Sequence, residues 1–247
     1  MAEDFARRNP GLVLAPVVIV IPAYNEEASV AAVVRSVPPR LAGLDTAVVV
    51  VDDGSGDATA RRAEEAGAYV CRLPRNRGQG AALRTGYRLA AAHGGRFVAT
   101  LDADGQWDAS DLEAVAAPVV AGTADLVSGT RRAGADAERI SVRGAGVVFF
   151  AALIRLLTRA PVTDPANGLR VMTVEVTERV ELEEPQFQAA ELIVSAVLRG
   201  ARYAEVPVAH HRRSAGSSKK GGSLRYGFSF ARVVLRTWRR ERRRRRR

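Results

Sequence analysis

The chain contains a single cysteine, Cys71, so no internal disulfide can form and a reducing compartment suits it. Long apolar runs are missing too. The longest uncharged apolar stretch is GAGVVFFAALI, residues 144 to 154, and Arg155 ends it. A helix needs about 20 apolar residues to cross a bilayer, so no transmembrane segment is expected. MAEDFARRNPG at the start lacks the charged-then-apolar order of a signal peptide. There is no internal repeat, and low complexity is confined to the terminal arginine run. His210 and His211 have no spaced partners for a metal site and read as structural. No G-x-G-x-x-G follows the first strand-like segment, where a dinucleotide fold would place it.

Net positive charge is scarce outside the C-terminus. The last dozen residues, RTWRRERRRRRR, hold nine of the 37 Lys and Arg and one of the 27 Asp and Glu. The remaining 28 and 26 nearly cancel, so +8 of the net charge of +10 belongs to the tail. A nucleic-acid-binding body is not implied, and no nucleic acid partner is expected. The 247 residues, 47% hydrophobic, suffice for one or two domains with a sizeable core.

VVIVI (17 to 21), AVVVV (47 to 51), RFVATL (96 to 101) and ADLVSG (124 to 129) read as short, β-branched, buried strands, with AYVCRL as a weaker one. Between them lie the helical patterns EEASVAAVVRSV, DATARRAEEAG, GQGAALRTGYRLAAA and ASDLEAVAAPVVA. This alternation predicts an α/β fold, a doubly wound, mostly parallel sheet with helices on both faces. The second half is less regular. It offers a helix over about 141 to 158, the loop APVTDPANG, a strand-like LRVMTVEV, a helix near 188 to 199, the strand RYAEVPV, the loop RRSAGSSKKGGS and a last helix.

Ligands of such sheets sit at the carboxyl ends of the strands. Three strand ends carry acids there: PAYNEE (22 to 27), VDDGSGD (51 to 57) and LDADGQ (101 to 106). In extended chain, residues two apart point the same way, so Asp102 and Asp104 can face one cation, with Gln106 as a third oxygen if the chain turns at Gly105. Mg²⁺ or Mn²⁺ takes such ligands and shares them with a substrate's diphosphate. The same residues also make an ordinary Asp-Gly turn with solvated acids. Glu26 and Glu27 suit a first helical turn and Asp57 a helix cap. NRGQGAALRTG is either a plain helix start or an anion-facing one. Arg213 and Lys219 lie in a Gly/Ser-rich loop whose composition suits a solvated loop or a mobile lid. Trp107 reads as packing.

The ordered set VVIVIPAYNEE, VVVVDDGSGD, NRGQGAALRTG, ATLDADGQ, LVSGTR and DPANGLRVM resembles family 2 glycosyltransferases of GT-A fold, and RYAEVPVAHHRRSAGSSK resembles their dolichyl- and polyprenyl-phosphate sugar transferases. The resemblance spans about 16 to 222. It implies a GT-A domain there, after an N-terminal extension (1 to 15) and before an amphipathic helix (223 to 240) and polyarginine tail (241 to 247). By that resemblance Pro22, Tyr24, Glu26, Val51 and Asp53 line the nucleotide-sugar pocket. Asp102, Ala103, Asp104 and Gln106 hold metal and diphosphate, and Arg213 and Lys219 close over the diphosphate. Arg131, Arg139, Ser141 and Arg143 are candidates for the acceptor phosphate; ERISVRGAGVV carries one residue more than the family's usual pattern there. Glu191 lies on a helix where some relatives place acids, and reads as structural or positioning. GDP-mannose is the first donor to expect, then UDP-glucose. Acceptors other than a lipid phosphate, a carbohydrate or small molecule, remain open, as does a catalytically silent scaffold.

A phosphomonoester, with a second pKa of about 6, is already a nucleophile at neutral pH and needs cationic anchoring rather than a general base. The expected reaction is therefore one in-line displacement with inversion and no covalent enzyme intermediate. A lipid acceptor implies work at the inner face of the cell membrane, alone or docked on an integral membrane partner. On a helical projection Leu224, Phe228, Ala231, Leu235 and Trp238 form one stripe, and Arg225, Arg232, Arg236 and Arg239 the next. That pattern fits an interfacial helix on anionic lipid. The alternatives are a core-packing helix followed by a disordered tail, or an RNA-binding tail, and the acceptor argument favours the membrane surface over both.

Overall fold

The computed structural model describes residues 2–131, 142–184, 186–209 and 224–245. Among these residues eight strands form one sheet: β1 Val17–Ala23, β2 Arg40–Leu41, β3 Leu44–Asp52, β4 Tyr69–Arg72, β5 Phe97–Thr100, β6 Leu126–Arg131, β7 Arg170–Thr173 and β8 Tyr203–Val208. Their order is β2-β3-β1-β5-β7-β6-β8, with β4 also paired to β3. β4, β3, β1 and β5 run parallel, as do β6 and β8, whereas β7 lies antiparallel between β5 and β6. The expected α/β doubly wound sheet is present, with its second half mixed rather than parallel.

Both faces of the strands are apolar because both are covered. Along β1, Val18 and Val20 enter one core cluster, while Val17, Ile19 and Ile21 enter the other. The first cluster packs beneath α4 Gln79–Ala92 and α8 Gln188–Leu198, the second beneath α2 Val30–Ser36, α3 Thr59–Glu65 and α5 Leu112–Val120. This two-sided burial explains why the strands read as continuous β-branched runs rather than alternating ones. α4 approaches β1 closely at Gly86, where a Cβ would stand 2.2 Å from Val20 Cγ1. Val20 is buried and stiff at χ1, so Gly86→Ala is expected to cost about 2 kcal/mol and lower Tm by several degrees in a thermal melt.

Two segments differ from the sequence expectation. The strand-like LRVMTVEV stops at Thr173, and α7 Val174–Arg179 follows, with Thr173 in extended conformation at its N-cap and Glu175 in its first turn. At the N-terminus a short helix, α1 Ala2–Arg8, was not foreseen. Its Phe5 is fully buried with its ring 5.5 Å from His93, and Arg8 donates to the Val70 carbonyl on β4.

The two long helices of the second half are α6 Val142–Thr158 and α9 Leu224–Arg244. α9 runs past residue 240 into the arginine run, because its buried face continues from Phe230, Val233 and Val234 through Thr237 to Glu241. That face lies on α8 and α6, with Phe150 and Phe230 at 4.3 Å between ring centroids. α9 is thus a core-packing helix on this side. The stripe singled out from the sequence flanks the buried face: Ala231, Leu235 and Trp238 are half-buried and Phe228 is exposed.

Asp125, just before β6, receives a forked pair of bonds from Arg202, just before β8, at 2.6 and 3.0 Å. Those hydrogen bonds hold its carboxyl below the usual carboxylate range. A lowered folded pKa means stability that is present above the unfolded value and lost as pH falls through the folded one. Asp125→Asn is therefore expected to melt below wild type at neutral pH, with the gap closing in melts taken below about pH 4.

Candidate functional site

The carboxyl ends of β3, β1 and β5 lie side by side, so the three acidic strand ends form one rim. Pro22 is in register with Val51, Ala23 with Asp52, and Val20 with Thr100. Two of the three loops are tied to each other. Asn25, with φ +53°, donates its amide to Ser55 Oγ at 2.9 Å and accepts from Gly56 at 3.0 Å. The Glu26 amide donates to Thr59 Oγ1, and the Ala58 amide to the Glu27 carboxylate. Pro22 lies near the end of β1, and Tyr24 and Glu26 stand on this braced loop, with Tyr24 exposed and the Glu26 carboxylate accepting from Ser29 Oγ. Glu26 and Glu27 precede α2 rather than forming its first turn. Asp57 does accept the Thr59 amide at the start of α3.

The Asp pair after β3 is structural to a degree the sequence did not show. Asp52 is fully buried, accepting the Ser55 amide at 2.9 Å, with Arg72 Nε 3.2 Å away on β4. Asp53 accepts the amides of Arg77 at 2.9 Å and Gly78 at 2.7 Å. Burial raises its pKa, with the two amides pulling the other way. The anion facing the start of α4 is thus the chain's own carboxylate. Val51 beside it is buried.

Asp102 lies on the loop after β5, half-buried and held by neutral donors. Gln79 Nε2 bonds its Oδ1 at 3.0 Å and Trp107 Nε1 its Oδ2 at 3.3 Å. Among the described residues no Lys or Arg pairs with it, so the carboxylate remains available to a cation. Asp104 Oδ1 accepts the Gln106 amide at 3.1 Å, and Gly105 between them has φ +69°, the turn that the Asp-x-Asp-Gly-Gln reading required. Ala103 and Asp104 are buried, Gln106 partly so. Gly168, ahead of β7, closes the floor: a Cβ there would stand 2.1 Å from Asp102 Oδ2. Its carbonyl accepts from Thr100 Oγ1 at 2.9 Å.

Three supporting residues were missed. Trp107 was read as packing alone, whereas it also donates to Asp102. Gln79 and Gly168 lie in NRGQGAALRTG and DPANGLRVM, but their approach to Asp102 depends on α4 and β7 converging on β5. The donor set of Asp102, Asp104 and Gln106 is all oxygen, which fits a hard divalent cation. Among the described residues no cluster of three or more His, Cys, Asp or Glu could hold a metal, so the neighbouring strand ends add no further acid. Arg131 ends β6 opposite Val208, but its side chain lies outside the described ones, as does that of Arg143 on α6. Arg139, Ser141, Arg213 and Lys219, with His210 and His211, lie outside the described residues.

Glu191, on α8, is fully buried and accepts the amides of Glu183 and Glu184 and a bond from Arg240. Enclosed in this way, it is structural or positioning, as expected. Among the described residues no helix is long and apolar enough to cross a membrane.

The family model described as "Glycosyl transferase family 2" matches residues 18–180. An uncharacterized glycosyltransferase of Mycobacterium tuberculosis is 37% identical over 209 residues, covering 85% of this chain and 91% of that protein. A dolichyl-phosphate hexose transferase of Haloferax volcanii is 30% identical over 220 residues, covering 88% and 93%. Among solved structures, glucosyl-3-phosphoglycerate synthase from Mycobacterium tuberculosis, in complex with Mn²⁺, UDP and glucosyl-3-phosphoglycerate, superposes with a TM-score of 0.70. It is 22% identical and covers 96% of this chain and 84% of that one. This fold is therefore the GT-A fold expected from the sequence.

Proposed function

The chain belongs to glycosyl transferase family 2, and on that premise we propose that it transfers a hexose from a nucleoside-diphosphate sugar to a polyprenyl phosphate at a membrane surface. The observation that carries the transferase chemistry is the Asp102–Gln106 turn. Two carboxylates leave one strand end, one of them seated by a neutral amide and an indole. Asp102, Asp104 and Gln106 are the residues to hold Mg²⁺ or Mn²⁺, which when bound supplies positive charge against the departing diphosphate. The solved fold neighbour that carries Mn²⁺ and UDP supports that choice.

The chain's own residues divide the remaining work. Pro22 at the end of β1 and the braced loop of Tyr24 and Glu26, beside Val51 and Asp53, form the wall for base and ribose. Arg213 and Lys219 are assigned to the diphosphate, and Arg131, Arg139, Ser141 and Arg143 to the acceptor phosphate. An acceptor already ionised at neutral pH attacks the anomeric carbon in line as the bond to the diphosphate breaks, inverting the centre without a covalent enzyme adduct. GDP-mannose and UDP-glucose are the donors to try first.

Lipid phosphate is favoured as acceptor by the Haloferax volcanii relative's name and by this chain's surface. Val148 (65%), Phe149 (61%) and Leu156 (80%) on α6 and Phe228 (74%) on α9 are exposed. The exposed Arg232, Arg236 and Arg239 lie along the same helix α9. Apolar side chains beside guanidinium groups suit the headgroup region of an anionic bilayer. The active face is assigned to the cytoplasmic side.

The second reading is a small phosphorylated acceptor, because the fold neighbour is a glucosyl-3-phosphoglycerate synthase. Incubating the protein with Mn²⁺, radiolabelled GDP-mannose or UDP-glucose and a polyprenyl-phosphate extract separates the two. Label entering the organic phase, and returning to water on mild acid, is the expected outcome. Label found only in water-soluble product would move the assignment to the second reading.

A further inference from the structure

The arginine run is the least specific stretch of the sequence, yet one of its members is enclosed. Arg240 is largely buried and forks onto five groups. Nη1 meets Glu191 Oε1 at 3.0 Å and Glu183 Oε1 at 3.1 Å. Nη2 donates to the Glu181 carbonyl at 2.8 Å and Ser195 Oγ at 3.3 Å, and Nε meets Glu241 Oε1 at 3.1 Å. Burial alone would lower its pKa, but the surrounding carboxylates raise it. Glu241, itself buried, is held from the other side by Arg199 Nε at 2.7 Å.

These contacts converge on the segment 181–184. Glu191 accepts the amides of Glu183 at 2.8 Å and Glu184 at 3.0 Å, so Arg240 and Glu191 together grip that segment by its backbone. Its far side seats α4. Arg84 Nη1 donates to the Leu182 carbonyl at 3.0 Å, and a Cβ on Gly80 would stand 2.6 Å from the Glu184 carbonyl oxygen. The contact leaves no slack for α4's first turn to move outward. That turn begins with Gln79, whose amide bonds Asp102.

We propose that Arg240 is a positioning residue for the transfer site, holding segment 181–184 against the first turn of α4 so that Gln79 keeps Asp102 aimed at the cation. The inference rests on Asp102 belonging to the site and is indifferent to the acceptor. It also joins α9, the helix bearing the exposed arginines, to the donor end of the sheet through a chain of touching groups. A guanidinium suits the task because its planar fork serves several acceptors at fixed angles, which an ammonium cannot do.

Hydrogen exchange on the full chain provides the test, comparing wild type with Arg240→Met and the milder Arg240→Lys. Peptides covering 181–184 and 77–83 are expected to exchange roughly tenfold faster in Arg240→Met, with Arg240→Lys between it and wild type and the β1 peptide unchanged. The Mn²⁺ concentration giving half-maximal transfer is expected to rise by a similar factor, while kcat at saturating Mn²⁺ changes less than about twofold. If 181–184 loosens while 77–83 exchanges as in wild type, Arg240 merely stabilises α9 and the proposal fails. Unchanged Mn²⁺ dependence in both variants would likewise overturn it. Should Arg240→Met not fold, Arg240→Lys carries both readouts, and the exchange result stands whatever the substrate proves to be.

Discussion

Asp104→Asn is expected to lower the rate of sugar transfer by about 10³-fold while leaving the melting temperature nearly unchanged. The substitution is chosen for what it retains. Asp104 Oδ1 accepts the Gln106 amide across a glycine at φ +69°, and the carbonyl oxygen of an asparagine can accept the same bond. The turn should therefore survive and only the charge be lost. Removing one of two carboxylates from a divalent ion forfeits several kcal/mol of stabilisation of the departing diphosphate, and each 1.36 kcal/mol is about tenfold in rate. Two measurements check it: initial rates with labelled donor, and calorimetric titration of UDP or GDP with and without Mn²⁺. The variant should bind nucleotide equally in both conditions. Retained activity together with retained Mn²⁺ enhancement would remove the acid pair from the site.

The second large effect comes from a residue that bears no charge. Gly168→Ala would place a methyl group 2.1 Å from Asp102 Oδ2, 2.7 Å from its Cγ and 3.0 Å from Trp107 Nε1. The backbone around Gly168 need not yield, because the nearest obstacle is the free end of a carboxylate. Asp102 rotates away and its bonds to Gln79 and Trp107 are lost. Activity is expected to fall roughly 10²-fold, approaching the effect of removing the acid, at a cost in stability of about 1 kcal/mol. A structural role alone would reverse that ranking, with a large drop in Tm and near-normal kcat. Paired Tm and rate measurements therefore decide. In Gly168→Ala/Asp102→Ala the clash with the carboxylate disappears and only the 3.0 Å approach to Trp107 Nε1 is left, so the double variant should be about as fast as Asp102→Ala by itself.

The first half of the fold was legible because each strand is buried on both faces and so announces itself as a β-branched run. The acids at the strand ends were legible for a complementary reason: charge directly after such a run has to be accounted for. Their division of labour was not. Asp53 and Asp102 both follow buried strands closely, yet Asp53 accepts the amides before α4, whereas among the described residues Asp102 takes only side-chain donors. Only the fold, by bringing residues 77 and 78 against one acid and Gln79 against the other, separates them. The C-terminal helix posed a similar ambiguity. It has two apolar stripes, and the one chosen from Leu224 and Phe228 lies beside the one that packs, through Phe230, Val233 and Val234. Composition cannot rank them, and with the phase uncertain Arg240 was indistinguishable from the arginines around it. α1 left too faint a trace, seven residues anchored by Phe5.

That short helix has a practical consequence. β4 hydrogen-bonds to β3 alone among the described strands, so its outer margin, together with β2, makes one edge of the described sheet. α1 lies over it, with Arg8 bonded to the Val70 carbonyl and reaching Glu64 on α3 at 3.5 Å. Trimming the polypeptide to start near residue 16, where the first strand begins, would strip this cover. A row of backbone amides and carbonyls would then be open to annealing with a second molecule. Self-association of such shortened material would reflect the missing eaves of the sheet and not a natural oligomer.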